Sequence, residues 1–190
     1  MSRIPPSPAA RRHDPGRRDR IIDATLDVIA EHGVAGASHR RIAAAADVPL
    51  GSMTYHFAGM DELLAEAFTR LAHQVADRFA AILGAAGTTD EAREAIVTII
   101  TGETLSSPRQ IVLSYELYTL AAREPRLRAV TQAWMARSRA ALEQHFDPET
   151  ARFLDALIEG LAMHIALDPA PMDAAHVRAA VWRITGAARP

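Results

Sequence analysis

Arg40 and Arg41, followed by Gly51, Ser52, Tyr55 and His56, are the residues whose types and spacing carry the most specific chemistry in this chain. Guanidinium, phenol, imidazole and hydroxyl groups bond phosphate oxygens and base edges, and one guanidinium can bond guanine O6 and N7 together. Gly51 and Ser52 add little bulk, so the backbone that carries them can come close to a base. This is the chemistry of recognising a polyanion rather than of making bonds. Catalytic signatures are missing: there is no HExxH, no G-x-S-x-G and no glycine-rich phosphate loop. The chain contains no cysteine, which excludes a disulfide framework, a thiolate metal site and a cysteine nucleophile. Glu159 and His164 are five apart rather than three, and His73, His145, His164 and His176 are scattered, so spacing offers no metal-ligand set. An enzyme is therefore not expected, and neither is a cofactor or a metal.

Such side chains need short, rigid elements to present them, and prolines and glycines divide the chain into helix-length pieces. Pro5, Pro6, Pro8 and Pro15 make residues 1–16 a disordered basic arm. From Arg17, the apolar residues Ile21, Ile22, Leu26, Val28 and Ile29 follow a 3.6-residue period that stops at Gly33. Ser38 suits the N-cap of a short helix through Ala46, and Pro49 opens the way to a third helix over about 50–57. A longer packing helix followed by two short ones across a tight turn is helix-turn-helix geometry, in which the second short helix enters a major groove.

Acids at Asp61 and Glu62 favour the start of a long helix that runs to Gly84. Further helices are expected over 90–105, 108–123, 125–146, 148–167 and 172–188, with prolines at their edges. No β-branched run alternates with period two, so the fold class is all-α with about nine helices. The expected domains are a helix-turn-helix head over 17–59 and a ligand-binding and dimerisation domain over 60–190.

The 190-residue chain carries 21 basic and 23 acidic side chains, a formal charge of -2. All the basic residues are arginine. Residues 1–60 hold eight arginines against six acids, whereas residues 61–190 hold thirteen against seventeen. That split gives a cationic head and an acidic body. The absence of an apolar leader and of any span near the roughly 20 residues that cross a bilayer points to a cytoplasmic protein with no membrane partner.

The stretch from His32 to Leu64 resembles the DNA-binding region of the TetR family of bacterial transcription regulators. Gly33, Ile42-Ala43, Val48, Gly51, Tyr55-His56-Phe57 and Leu63-Leu64 carry that resemblance at unbroken spacing. It implies a homodimer of all-α subunits, each with a three-helix head and a larger C-terminal ligand-binding domain. It implies a double-stranded, palindromic DNA operator and an unidentified small-molecule effector, read first as releasing a repressor, with recruitment of an activator the open alternative. The family's base-reading positions fall on Arg40, Leu50, Gly51, Ser52 and Tyr55, and its phosphate-contacting positions on Ser38, Thr54, His56 and Met60. Arg41 supplements them from the first short helix. Arg40 reads as a base contact, or alternatively as a phosphate contact or surface ion pair, and His56 as a DNA contact or a helix-end packing group.

Two positions depart from the family pattern: Thr54 stands where a tyrosine is usual, and Met60 where a lysine is usual. Met60 cannot pair with a phosphate, so Arg11, Arg12, Arg17 and Arg18 are expected to supply the missing cationic contacts. The same departures leave room for a helical ligand-binding or scaffold dimer that has lost specific DNA binding.

In the body, Tyr115, Glu116, Tyr118, Trp134, Met135, Met163 and His164 interrupt apolar helices. They suit a cavity in which a few polar groups orient a mostly apolar ligand; each also has an ordinary packing role open to it. Phe153, Leu154, Leu157, Ile158 and Leu161, with Val177, Ala180, Val181 and Ile184, are the expected dimer stripes.

Overall fold

The structure, a computed structural model, describes residues 14–186. Arg11 and Arg12 of the expected arm lie outside the described residues. Contacts divide the chain between Ala67 and Phe68 into two compact units. All regular structure among the described residues is helical, in ten elements of which one is a single turn.

The first unit opens with α1 (Arg17–Gly36). Its start is tied by Asp14, which accepts from the Gly16 N–H at 3.1 Å and pairs with Arg20 at 2.5 Å. Ile21, Ile22, Leu26, Val28 and Ile29 are buried, as the period requires. Regular helix ends at Gly33, whose φ of 67° and ψ of 171° suit a residue without a Cβ. Helix α2 (His39–Ala45) is capped by the Ser38 hydroxyl, which accepts from the Arg41 N–H at 3.3 Å. The turn that follows closes through the Val48 N–H to the Ala43 carbonyl at 3.0 Å, with Asp47 in the left-handed region at φ 51°. Aspartate is among the few residues that accept this conformation. Helix α3 (Gly51–His56) then buries Met53 and ends at Phe57, which is also buried.

Helix α4 (Met60–Gly84) begins in the first unit and continues in the second. Helix α5 (Thr89–Thr101) starts at a capping box in which Thr88 and Glu91 each satisfy the other's backbone N–H. The single helix expected over 90–105 is broken at Gly102, leaving the turn α6 (Glu103–Ser106). Gly102 is extended, and a Cβ there would lie 2.7 Å from the Thr98 carbonyl oxygen, so the close approach requires glycine. Helices α7 (Pro108–Ala121), α8 (Pro125–Leu142) and α9 (Pro148–Leu167) each begin with proline in the first turn, where a missing N–H costs nothing. Helix α8 stops before the expected end at Phe146. Helix α10 (Ala174–Ile184) is capped by Asp173.

Helix α9 packs against α5, α6, α7, α8 and α10, which makes it the spine of the second unit. Leu154, Ile158 and Leu161 of α9, with Val177 and Val181 of α10, are buried in this subunit's own core. They are therefore packing residues rather than the dimer stripe expected of them. Phe153 and Leu167, by contrast, are more than half exposed.

Candidate nucleic-acid interface and ligand site

The first unit presents a row of side chains on the outer side of α2 and α3. Ser38, Arg40, Arg41, Leu50, Gly51, Thr54 and Tyr55 are all exposed. Tyr55 is 83% exposed and leans edge-on against His56, with ring centres 4.9 Å apart. A large aromatic held this far from its own core is available to another molecule. Gly51 fits the same account, since a Cβ there would meet no heavy atom within 4 Å. Nothing in the chain itself requires that position to be bare.

The row is anchored from beneath. Ile42 and Ala43 of α2 and Met53 of α3 are buried, so both short helices are fixed by apolar residues on their inner sides. Ser52 joins that inner set at 7% exposure and stands apart from the outward row. Arg40 makes no hydrogen bond or ion pair among the described residues. Arg41 is tied back, donating to the Gly36 carbonyl oxygen. The Thr54 hydroxyl donates to the Gly51 carbonyl oxygen at 3.3 Å.

Arg18 is not the phosphate-tracking residue expected from sequence. Its guanidinium pairs with Glu66 and lies over the Phe57 ring, 5.1 Å from the centroid, bracing α1 against the start of α4. Burial, followed by the nearby charges of Arg17 and Arg18, holds the His56 pKa below the ordinary histidine range. These surroundings favour the neutral form of the His56 imidazole. Met60 opens α4, and the Glu62 carboxylate accepts from the Ala58 N–H at 2.6 Å.

The second unit gathers polar groups in the opposite way. Tyr115 and Tyr118 of α7 meet edge to face, with centroids 6.1 Å apart at 81°, and Tyr118 stacks on Trp134 of α8 at 6.0 Å and 28°. Tyr118 and Glu159 of α9 lie close enough to influence each other's titration. Glu159 is half-buried, and burial raises its pKa; the nearby Tyr118 hydroxyl opposes that rise, and the nearby Asp155 adds to it. Asp155, also raised by burial, has a counter-charge in Arg139 at 3.3 Å.

Of the residues singled out from sequence, Tyr115, Tyr118 and Trp134 come together. Glu116 is half-buried, Met163 lies one turn beyond Glu159 on α9, and Met135 and His164 are exposed. Glu159 is a residue that sequence reasoning does not place near this cluster. Its signal is the pair Asp155 and Glu159, two like charges four apart on one helix, an arrangement that is mildly destabilising.

A cavity of about 240 Å³ lies beside this cluster between α4 and α8, bordered by Ala72, His73, Val130, Ala133, Trp134 and Arg137 among others. Trp134 is thus shared between the cavity wall and the aromatic stack. Among the described residues no three His, Asp or Glu side chains converge as a metal site, and no helix is long and apolar enough to cross a membrane.

A head that turns polar groups outward from two short helices, in one chain with a body that gathers them inward, is the organisation of a transcriptional regulator with DNA-binding and ligand-binding domains. A family model described as bacterial regulatory proteins, tetR family, matches residues 21–67, and one described as tetracyclin repressor-like, C-terminal domain, matches residues 89–187. The chain belongs to the TetR family, whose members are transcriptional regulators and not enzymes.

The transcriptional regulator BetI 1 of Chromohalobacter salexigens is 31% identical over 175 residues, 86% of each chain. The crystal structure of the regulator SCO7518 of Streptomyces coelicolor A3(2) is 56% identical, with a TM-score of 0.83 over 90% of this chain and 99% of that one. The multidrug binding protein EbrR, solved with ethidium, is 39% identical with a TM-score of 0.75 and the same shares covered.

Proposed function

We propose that the protein is a cytoplasmic homodimeric repressor that binds a palindromic operator and is released by a small-molecule effector. The observation that carries the DNA half is the exposed row over α2 and α3, above all Tyr55 and Arg40 held out beside the open Gly51. In this reading Arg40, Leu50, Gly51 and Tyr55 contact bases, Ser38, Arg41, Thr54 and His56 contact backbone, and Ser52 acts from behind as packing. Two such heads address two half-sites about one helical turn apart only if the protein is a dimer. The exposed Phe153 and Leu167 of α9 offer apolar surface for that association.

The ligand half rests on the Tyr115, Tyr118 and Trp134 cluster and the cavity that Trp134 borders. EbrR is described with ethidium, proflavin and malachite green, and a ligand of the same flat aromatic kind is proposed here. Such a ligand changes operator affinity to the extent that it prefers one conformer of the body over another.

Selection of bound fragments from genomic DNA tests this reading. An enriched palindrome supports a dimeric operator reader, and loss of that binding on adding an aromatic ligand supports effector release. No enrichment under any ligand condition would leave a helical ligand-binding or scaffold dimer. Phosphate contacts from Arg11 and Arg12 are a separable part of the proposal. Deleting residues 1–13, which spares the Asp14 tie to α1, should weaken operator binding and flatten its salt dependence. An unchanged salt slope removes the arm from the interface.

A further inference from the structure

Helix α3 carries the outward Tyr55 but is only six residues long, and no side chain caps its start at Leu50. So short a helix does not fix its own direction, which has to come from the contacts at its ends. Its C-terminal end is held from α4 by two carboxylates one turn apart. Glu62 accepts from the Ala58 N–H at 2.6 Å, one residue beyond Phe57. Glu66 pairs with Arg18 of α1, whose guanidinium lies 5.1 Å from the centre of the Phe57 ring. A guanidinium is drawn to the electron-rich face of a ring, and its planar fork also suits a carboxylate. Arg18 therefore joins α1, the end of α3 and α4 at one point.

Ring contacts continue from that point to the surface. The buried Phe57 ring lies 6.3 Å from the His56 ring, and His56 meets Tyr55 edge-on at 4.9 Å. The Phe57 N–H still bonds the Met53 carbonyl oxygen at 2.9 Å, so the buried ring and the helix before it are one unit. Two roles for Arg18 then predict opposite signs. As a phosphate contact it would be held back by Glu66, and removing the Glu66 charge would tighten binding to a polyanion. As a group that Glu66 aims at Phe57, it would lose its place, and binding would weaken although a negative charge had gone.

We propose that Arg18, aimed by Glu66, is a positioning residue of the DNA reader, which sets the direction of Tyr55 through Phe57 and His56 without touching DNA. This rests on the DNA half of the proposed function and gives a part in it to two residues outside the exposed row. Both members of the ion pair are partly exposed, so the pair adds little to stability and its effect on direction is separable from folding.

The test measures full-length wild type, Arg18→Gln, Glu66→Gln and the double variant by fluorescence anisotropy, on the palindrome enriched by genomic selection and on a scrambled duplex of equal length. Each single variant is expected to bind the palindrome about fivefold or more weakly, with its scrambled-duplex affinity, salt slope and urea midpoint near wild type. The double variant should lose no more than the weaker single one, because both residues act through one contact. Tighter binding by Glu66→Gln, or a salt slope lowered by about one in Arg18→Gln, would overturn the proposal and return Arg18 to the phosphates. An equal loss on both duplexes, or a loss that tracks a lowered urea midpoint, would overturn it as well and leave a structural ion pair. A wild type that enriches no palindrome removes the operator reading and this proposal together, whereas one that does leaves only Arg18 and Glu66 in question.

Discussion

The head leaves Arg40, Thr54 and Tyr55 in solvent, whereas the body draws Tyr118 among rings and holds Glu159 partly away from water. The two regions meet the same problem, holding polar groups ready for a partner, with opposite physics. In the head the groups keep their hydration, so folding does not depend on the partner, and buried apolar residues beneath them set the geometry. In the body the groups have lost part of their hydration, so the site itself carries a cost that a suitable ligand can offset. Substitutions in the head's outer row should therefore change binding with little change in stability, and substitutions of the body's acid should change stability.

The largest effect should come from beneath the head's surface. Met53 is fully buried, and Met53→Ala should cost about 2–5 kcal/mol of the stability of the first unit in urea denaturation, with operator binding lost along with it. Arg40→Ala is the surface counterpart. It should leave the urea midpoint in place and weaken operator binding by about 1–3 kcal/mol. If Arg40 reads a base, the loss disappears on an operator altered at that base; a uniform loss across sequences assigns it to phosphate. Gly51→Ala sharpens the contrast. A helical alanine in open space should raise stability by up to about 1 kcal/mol, yet the added methyl should obstruct the operator. A variant that binds as tightly as wild type would remove α3 from close contact with DNA.

The smallest effect is the one that changes with pH. Burial raises the Glu159 pKa above its unfolded value, so the folded chain holds a proton that the unfolded chain releases in the window between the two. Stability attributable to this group is thus lost as pH rises through the folded pKa. Glu159→Gln should be more stable than wild type at neutral pH, with the gain shrinking as pH falls toward the ordinary glutamate range. A difference that is the same at every pH would show that the carboxylate contributes through its contacts rather than its charge.

Most of the head is legible in the sequence, because its elements are punctuated by residues with local rules. Gly33 ends α1 through its backbone, Ser38 caps α2 with its hydroxyl, and Pro49 precedes α3. The role of Arg18 is not legible in the same way, since its partner, Glu66, lies 48 residues away and no local rule connects them. In the body, proline marks the starts of α7, α8 and α9. The break at Gly102 is hidden by the apolar residues that continue on either side of it. Tyr118 and Trp134 stand out as oddities in their helices. Their stacking and the approach of Glu159 depend on α7, α8 and α9 meeting, and that is a property of packing.

The Tyr118 and Trp134 stack gives the chain an optical asymmetry. Both of its tryptophans, Trp134 and Trp182, belong to the body, while the head carries Tyr55 but no indole. Indole emission therefore reports on the second unit alone. Trp134, in contact with Tyr118, lies where a bound ring would quench or shift it, and Trp182, with the Arg93 guanidinium 5.8 Å from its ring, serves as an internal reference. With Trp182 replaced by phenylalanine, the protein would hold a single native indole at the proposed effector site and none in its DNA reader.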